Sequence, residues 1–510
     1  MKTSDSLFQL VRSLDKSEKR YFRLWVSKYE RGTKNYLLLF DALEKMRVYD
    51  EKRLRERFAG TRLGKNLAVE KHYLYQLLLK SLAACHASST ALARIREMIR
   101  YAELLAAKNL YRDCRSQLGK AKRLALEYEA FTYALEITRM EKELVNDGLA
   151  PGTLEANRDE ERHLHAAIAQ LHALREINSE LYLLMRSSLV RDPATLARMD
   201  AVAARALEFR EEELLSARAK ASWYGILLRC ARARGDHEKH HEYAQKTLTL
   251  LESAPALIAE NPTAYVSRLS NMAISQAESG RIEDVKRSLE KLKALPAQYP
   301  AARAPGVLRN ILSTYYGLSL EYFLQRGAFR EGLALLPELE KWLKENELVI
   351  DQNHRAVILL AVADIYFGAE QYRKTLQWLR ALLNEDRIGF REDVQCFARI
   401  LQLITHYKLG NDALLPSLVR GTYRFLNKRK KLFGVEKAIL VFLRGRMSRP
   451  GRKPALRAAF RALHAEMLAI IEDPREAKAL NYFDVVSWLN SEVENVPFAT
   501  IVERKAGAGN

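Results

Sequence analysis

Apolar residues recur at positions i, i+3, i+4 and i+7 through almost the whole chain between Ser4 and Asn495. This spacing places them on one face of an α-helix, whereas alternating stretches of strand length are hard to find. The pattern therefore predicts an all-α protein. Short breaks interrupt it every 39 to 47 residues. These breaks are at Asn109, Asp147-Gly148, Asp192-Pro193, Gly235-Asp236, Gly280, Gly327, Gly368, Gly410 and Pro450-Gly451.

The regular breaks predict stacked helical hairpins, because one hairpin cannot bury both of its faces and must pack on neighbours. We therefore expect an α-solenoid of roughly nine long hairpins over residues 86–500. Side chains around the turns repeat at similar offsets, as at Phe329 and Gly332. A large residue beside a turn and a small one three positions later would let two helices cross closely.

Residues Leu359 to Leu383, LLAVADIYFGAEQYRKTLQWLRALL, have the small, aromatic, small, apolar order of the tetratricopeptide repeat, with Thr375 in place of the usual alanine. On this segment the chain resembles that family, although its period is longer than the usual repeat of about 34 residues. The resemblance implies a superhelix whose first helices line a concave groove that binds peptides. The opening stretch LFQLVRSLDKSEKRYFRLWVSKY is also similar to an uncharacterised group of bacterial helical-repeat proteins, which implies no activity.

The two ends of the chain differ from this pattern. Residues 1–85 have shorter helical runs and predict an N-terminal helical cap domain with a basic excess. Within it, Asp15 followed by Glu18 predicts a capping box that starts a helix at Lys16. Residues 501–510 end in RKAGAGN, which lacks apolar periodicity, so we expect a disordered tail there.

Composition narrows the class of protein further. The 510 residues include 83 Lys and Arg against 63 Asp and Glu, a net charge of +20, and only 22 Gly and 13 Pro. Four cysteines stand far apart, which favours a reducing compartment.

Charges interrupt the first apolar residues, so no signal peptide is expected. The longest apolar stretch, Ala356 to Ala363, is far shorter than the roughly 20 residues of a membrane helix, so we expect a cytoplasmic protein without membrane contact.

The positive charge is concentrated between Arg420 and Arg461, where fourteen basic residues stand against one acidic residue, Glu436. Helical spacing predicts a positive surface formed by two adjacent helices. This polyanion patch comprises Arg420, Arg424, Lys428, Lys431, Lys453, Arg457 and Arg461. It would attract nucleic acid or another polyanion, and aromatic residues such as Tyr423 and Phe425 would stack on unpaired bases. A docking patch for an acidic protein, or a solvated helix face, explains the same residues.

Polar residues also fall on the predicted first helices, where the tetratricopeptide resemblance implies a partner-binding groove. Glu321 and Asp364 interrupt apolar helices, so their charges should face water or a ligand. The predicted groove residues are Glu103, Arg229, Arg232, Thr314, Glu321, Gln325 and Asp364. A wet groove wall without a partner gives the same pattern. The main hypothesis is therefore a non-enzymatic scaffold that binds a peptide or helix of a protein partner, with polyanion binding as the alternative.

One stretch matches a catalytic pattern. Residues 237–241, HEKHH, fit H-E-x-x-H, in which two histidines hold zinc and the glutamate activates water. The match begins in the first turn after Gly235, and Ala244 and Thr247 stand where longer metalloprotease signatures have glycine and a third histidine. A polar helix start at a hairpin turn explains the stretch without a metal.

Other chemistry has weaker support. Glu161, His165 and His172 share a helical stretch, which a solvated helix face explains equally well. No phosphate-binding glycine loop, dinucleotide motif or nucleophile elbow occurs. We therefore expect no catalytic residue, no cofactor and no metal.

Overall fold

The computed structural model describes residues 3–29, 35–87, 90–185, 193–347, 349–384, 391–448 and 453–508. Across these ranges the chain forms α-helices and short 3₁₀ turns and no β-strand, which confirms the predicted all-α class. The chain divides into two compact units, Met1–Asp159 and Glu160–Asn510. This division lies later than the expected boundary at residue 85.

The first unit contains nine helices and the start of a tenth among its described residues. They are α1 (Thr3–Ser13), α2 (Lys16–Tyr29), α3 (Asn35–Lys45), α4 (Glu51–Arg57), α5 (Arg62–Lys65), α6 (Leu67–Cys85), α7 (Ala91–Ala106), α8 (Tyr111–Glu127), α9 (Phe131–Asn146) and α10 (Leu154–Met185), which continues into the second unit. Helices α1 to α6 share one hydrophobic cluster that extends from Leu7 to Leu78.

The predicted capping box is confirmed at the start of α2. The backbone N–H of Glu18 donates to Asp15 Oδ1 at 2.8 Å, and the N–H of Asp15 donates to Glu18 Oε2 at 2.8 Å. These reciprocal bonds satisfy two backbone donors that a helix start leaves without a partner.

The second unit continues with helices that follow each other closely. They are α11 (Pro193–Ala206), α12 (Ala217–Arg234), α13 (His237–Glu252), α14 (Pro255–Glu260), α15 (Pro262–Glu278), α16 (Ile282–Gln298), α17 (Pro305–Arg326), α18 (Phe329–Glu345), α19 (Gln352–Gly368), α20 (Tyr372–Leu383), α21 (Glu392–Lys408), α22 (Leu415–Lys428), α23 (Gly434–Ser448), α24 (Lys453–Ile471), α25 (Pro474–Ala477), α26 (Val485–Glu494) and α27 (Phe498–Ala508). Three 3₁₀ turns cover Glu211–Glu213, Pro300–Arg303 and Lys478–Asn481.

Between α12 and α24 the helices pack as successive pairs. Helix α12 packs on α13, α15 on α16, α17 on α18, α19 on α20, α21 on α22 and α23 on α24. We refer to α12, α15, α17, α19, α21 and α23 as the first helices. Among them α15, α17, α19 and α21 contact one another in sequence order. After α24 the order changes, because α26 packs on α24 while α27 packs on both α26 and α17.

The predicted breaks coincide with helix ends wherever the structure describes them. Gly235, Gly280, Gly327 and Gly410 have φ between 68° and 79°, a backbone conformation that suits glycine. Gly368 is the last residue of α19, and glycine is required there because a Cβ would lie 2.1 Å from the Phe329 ring. The predicted breaks at 192 and 450 lie outside the described residues.

The expectation of a disordered tail over residues 501–510 is wrong for the described part of that range. Helix α27 extends to Ala508, and its residues Ile501 and Val502 are buried. Arg504 forms an ion pair with Glu494 at 2.7 Å. The apolar residues that hold this helix precede Arg504, so the polar sequence after them gave a misleading pattern.

Candidate binding cavity

A cavity of about 800 Å³ lies in the second unit, between first helices and the last part of the chain. Its apolar walls include Ile274, Leu318, Leu324, Val357, Ile358 and Phe498. Its polar walls include Arg232, Glu278, Thr314, Glu321, Gln325 and Asp364. A volume of this size suits a small ligand or a short stretch of peptide, and apolar walls with a few polar groups are typical of binding sites.

One side of the cavity is closed by residues Asp473–Ala508, which we name the C-terminal cover. It comprises α25, the following 3₁₀ turn, α26 and α27. Within it the Trp488 side chain is fully buried and meets the Phe460 ring edge-on, with ring centres 5.9 Å apart. Helix α27 approaches the end of α17 so closely that a Cβ at Gly327 would lie 2.9 Å from the backbone nitrogen of Glu503.

Four aromatic rings join the cover to the helix pairs. Phe498 lies 5.7 Å from Phe329 and 5.8 Å from Phe367, measured between ring centres. Phe483 lies 5.2 Å from Phe367 and meets it edge-on. All four side chains are buried. Because burial of an aromatic side chain contributes strongly to stability, the cover is an integral part of the hydrophobic core.

Polar contacts hold the cover at two further places. The Tyr482 hydroxyl donates to Asp393, whose carboxylate also binds the Arg391 guanidinium at 2.9 Å. Burial, together with the charge of Asp393, raises the pKa of Tyr482 well above its ordinary value. Glu476 accepts the backbone N–H of Gly434 at 3.0 Å, at the start of α23. An acidic side chain at a helix N-terminus is favourable because the helix dipole is positive there.

Two carboxyl groups of the cavity wall, Asp364 and Glu321, have pKa values raised above the ordinary ones. Asp364 is 6% exposed, and its Oδ1 has no hydrogen-bond partner among the described residues. Burial raises the pKa of Asp364 well above its ordinary value, and nearby Glu321 raises it further. Burial also raises the pKa of Glu321, although Gln325 Nε2 donates to Glu321 Oε1 at 2.6 Å. The two groups disfavour negative charge on each other unless a cation joins them.

A third acid of the cavity wall, Glu278, has a lowered pKa instead of a raised one. Glu278 Oε1 lies 2.9 Å from Arg232 Nε, and Glu278 Oε2 lies 3.0 Å from Nδ1 of the buried His240. Burial acts to raise the pKa of Glu278, but the nearby His240 side chain and the charge of Arg232 outweigh it and lower the pKa to about 2. Glu278 is therefore ionised and compensated, whereas neither Glu321 nor Asp364 forms an ion pair in the described ranges.

The cavity brings together most of the predicted groove residues. Arg232, Thr314, Glu321, Gln325 and Asp364 all line it. The two remaining predicted residues lie elsewhere. Arg229 donates to Asn178 Oδ1 at 2.5 Å and is not among the lining residues, while Glu103 belongs to the first unit and forms an exposed ion pair with Arg100.

Sequence reasoning missed two features of this site, Glu278 and the C-terminal cover, whereas it placed Gly317 on the predicted groove. Glu278 is the last residue of α15, and no pattern in the sequence marks it as part of a site. Gly317 lies in the middle of α17, and a Cβ there would meet no atom within 4 Å, so it faces open space. The cover was missed because its contacts join residues far apart in the chain. The only local signal was the spacing of large side chains in Phe483, Trp488 and Phe498.

The polyanion patch lies on α22 and α24, and α23 packs against both. Exposed members are Arg420, Arg424, Lys428, Arg457 and Arg461. Lys431 is half-buried beyond the end of α22, and Lys453 is the first residue of α24. Tyr423 is 49% exposed. Phe425 is not free to stack on a base, because guanidinium groups lie 3.9 and 3.8 Å from its ring centre on the side chains of Arg399 and Arg429.

The H-E-x-x-H stretch forms the first turns of α13. His241 Nε2 lies 2.7 Å from Arg281 Nη1, and its Nδ1 lies 3.1 Å from Ser275 Oγ. Since an arginine can only donate, Nε2 accepts and Nδ1 donates. His237 is exposed, as are His165 and His172 on α10. The described residues contain no group of three or more side chains placed to hold a metal ion.

Comparisons with family models, curated proteins and solved structures found no match for this chain. Among the helices described, none combines the length and the apolar character that crossing a membrane requires. The functional interpretation therefore depends on the geometry of the cavity and of the polyanion patch.

Proposed function

We propose that the protein is a non-enzymatic binding protein that takes a short segment of a protein partner into the cavity. In this proposal the helix pairs form an α-solenoid of tetratricopeptide-like hairpins behind an N-terminal helical cap. The observation that carries the proposal is the cavity itself, since residues from α12, α17 and α19 that are distant in sequence meet around one volume of about 800 Å³. Convergent polar groups in an apolar cavity are typical of binding sites.

The C-terminal cover changes the kind of partner that we propose. It already packs on α17 and supplies cavity walls from Lys478 to Ala506. A partner helix lying along all the first helices would have to displace buried aromatic rings of the cover, at a high cost in free energy. An extended segment or a single long side chain entering the cavity needs no such displacement. The four cysteines are unpaired, which supports the cytoplasm as the proposed location.

The test fills the cavity without changing its charge. Gly317→Phe places a ring in the open space beside Gly317, and Gly317→Ala is the matched control. A library of short peptides is screened on an array against the full-length chain. We expect selected peptides to bind the wild type and Gly317→Ala alike and to lose at least about tenfold in affinity for Gly317→Phe, because the ring occupies their volume. Equal binding to all three proteins would place the partner site outside the cavity.

Polyanion binding is the second candidate function. Exposed arginines and lysines on α22 and α24 support it, because such groups bind phosphates and release counterions. The two candidates use different residues, so each can be tested while the other site stays intact.

A further inference from the structure

We propose that the cavity binds an alkylammonium group, with the carboxylates of Asp364 and Glu321 as its partners. This inference deepens the proposed function and rests on it, because it names the chemistry that the cavity recognises. The source of the ammonium group is either a lysine side chain of the partner or a free aliphatic amine.

The first reason is the state of Asp364. Its side chain is 94% buried, lines the cavity, and has one oxygen without a hydrogen-bond partner in the described chain. A buried polar atom without a partner costs about 1–3 kcal/mol, so such atoms are rare unless a ligand or water completes them. A donor from a ligand would remove this cost.

The second reason is that other charged groups of the cavity have partners within the protein. Arg232 binds Glu278, Arg391 binds Asp393, and Lys505 binds Asp484 at 2.8 Å. Lys478 donates to the carbonyl oxygen of Ala233. These contacts leave Glu321 and Asp364 as the acids toward which a new cation would be drawn.

The third reason is the shape and polarity of the walls. A cavity of about 800 Å³ is far larger than a metal ion, and its apolar lining includes residues of α15 and of α17 and α19, the two helices that carry the carboxyl groups. A chain of methylene groups can pack on such walls while its charged end reaches the acids, as lysine side chains do on protein surfaces. An alkylammonium group therefore fits both parts of the site.

Binding should be linked to proton release. Charged or titratable groups that line the cavity beside the two acids are Arg232, Glu278, His354, Arg391, Asp393, Lys478, Tyr482, Asp484 and Lys505. Burial holds the pKa of Asp364 and of Glu321 above their ordinary values, so both groups bind protons more readily than free carboxyls. A bound cation favours their ionised forms. Affinity should therefore increase with pH, and protons should leave as the amine enters.

The experiment titrates 1,5-diaminopentane into the full-length chain in a calorimeter at pH 5 and at pH 8, in two buffers with different ionisation enthalpies at each pH. We expect saturable binding that is tighter at pH 8, with proton release on binding at the lower pH. Asp364→Asn and Glu321→Gln should each weaken binding at least about tenfold, because each removes a charge-assisted hydrogen bond in a desolvated site. Glu345→Gln, which changes an exposed glutamate of α18, is the matched control and should bind as the wild type does.

A second arm separates the two sources of the amine. Peptides selected on the array are tested with each lysine acetylated, which removes the charge and keeps the chain. Loss of peptide binding on acetylation assigns the site to a partner lysine, whereas tight diamine binding without any lysine-dependent peptide assigns it to a free amine. If neither ligand responds to Asp364→Asn or Glu321→Gln in these well-folded variants, the alkylammonium inference is overturned. The Gly317→Phe variant tests the proposed function independently, because its ring fills the cavity and should weaken binding of any ligand that enters.

Discussion

The cavity and the polyanion patch place charge in opposite surroundings. In the cavity, Asp364 is buried among apolar walls, and its pKa is raised. In the patch, Arg420 and Arg424 are exposed to water, where screening reduces the interaction of each charge with its neighbours. A few acids in the cavity therefore influence stability and binding strongly, whereas the patch acts only through the sum of many charges. The net charge of +20 reflects the excess of basic residues that the patch contributes to, and it gives no indication of the acids in the cavity.

The cover supplies one wall of the cavity and packs into the hydrophobic core. Trp488→Ala removes a fully buried side chain from the cover and should lower the free energy of unfolding by about 3–5 kcal/mol. Urea denaturation measures this change. Val441→Ala is the control, because Val441 is 62% exposed on α23 and should cost less than about 0.5 kcal/mol. A small effect of Trp488→Ala would mean that the cover is not part of the core.

The contribution of the polyanion patch to binding is tested by removing its exposed charges together. Changing the exposed members Arg420, Arg424, Lys428, Arg457 and Arg461 to Gln should weaken binding to single-stranded oligonucleotides by about tenfold or more at 0.1 M salt, since fewer counterions are released. Fluorescence anisotropy over a salt series measures this. The control carries the same loss of charge on other helices and changes the exposed residues Lys293, Arg330, Lys341, Lys344 and Arg373 to Gln. Equal weakening in both variants would attribute binding to net charge.

Glu278 is the acid of the cavity wall that lies beside Arg232 and His240. Its pKa of about 2 lies below the ordinary value of 4.5, so its contribution to stability is present above pH 4.5 and is lost as pH falls toward 2. Glu278→Gln should lower the free energy of unfolding by about 2 kcal/mol at pH 7. The effect is moderate because the Arg232 side chain is 35% exposed and water screens it. A loss that persists unchanged at pH 2.5 would contradict this assignment.

Asp364 should behave in the opposite way. Its pKa in the folded chain is raised, so ionisation of Asp364 lowers stability as pH rises above its ordinary value of 3.8. Asp364→Asn removes this penalty and should raise the free energy of unfolding by about 1 kcal/mol at pH 8. Chemical denaturation at pH 8 and pH 4 should show the gain shrinking at the lower pH. A destabilised variant at pH 8 would contradict the buried, cation-free state of Asp364.

The sequence predicted those features that depend on neighbouring residues. Helical periodicity, the breaks at Gly235 and Gly327, and the capping box at Asp15 follow from local backbone chemistry, and the structure confirms them. The sequence also predicted that Glu321 and Asp364 line one site, because acids that interrupt apolar helices indicate a polar surface.

The remaining features depend on contacts between distant parts of the chain. Nothing near Tyr482 in the sequence indicates that it binds Asp393, and nothing near Phe498 indicates that it packs on Phe329. The cover therefore turned an expected open groove into a cavity with a limited volume. Phe425 shows the same limitation, because its two arginine neighbours come from α21 and from the residue after α22.

Carboxyl footprinting of the native full-length chain tests most directly whether the Asp364 carboxyl is buried, as the account of the cavity requires. A water-soluble carbodiimide with glycine ethyl ester modifies accessible carboxylates, and mass spectrometry then measures each site. The structure predicts that Asp364 is modified much more slowly than the exposed Glu345 in the native protein, and that the difference disappears once urea unfolds the chain. Modification of Asp364 at the rate of Glu345 in the native protein would contradict a buried acid site beneath the cover.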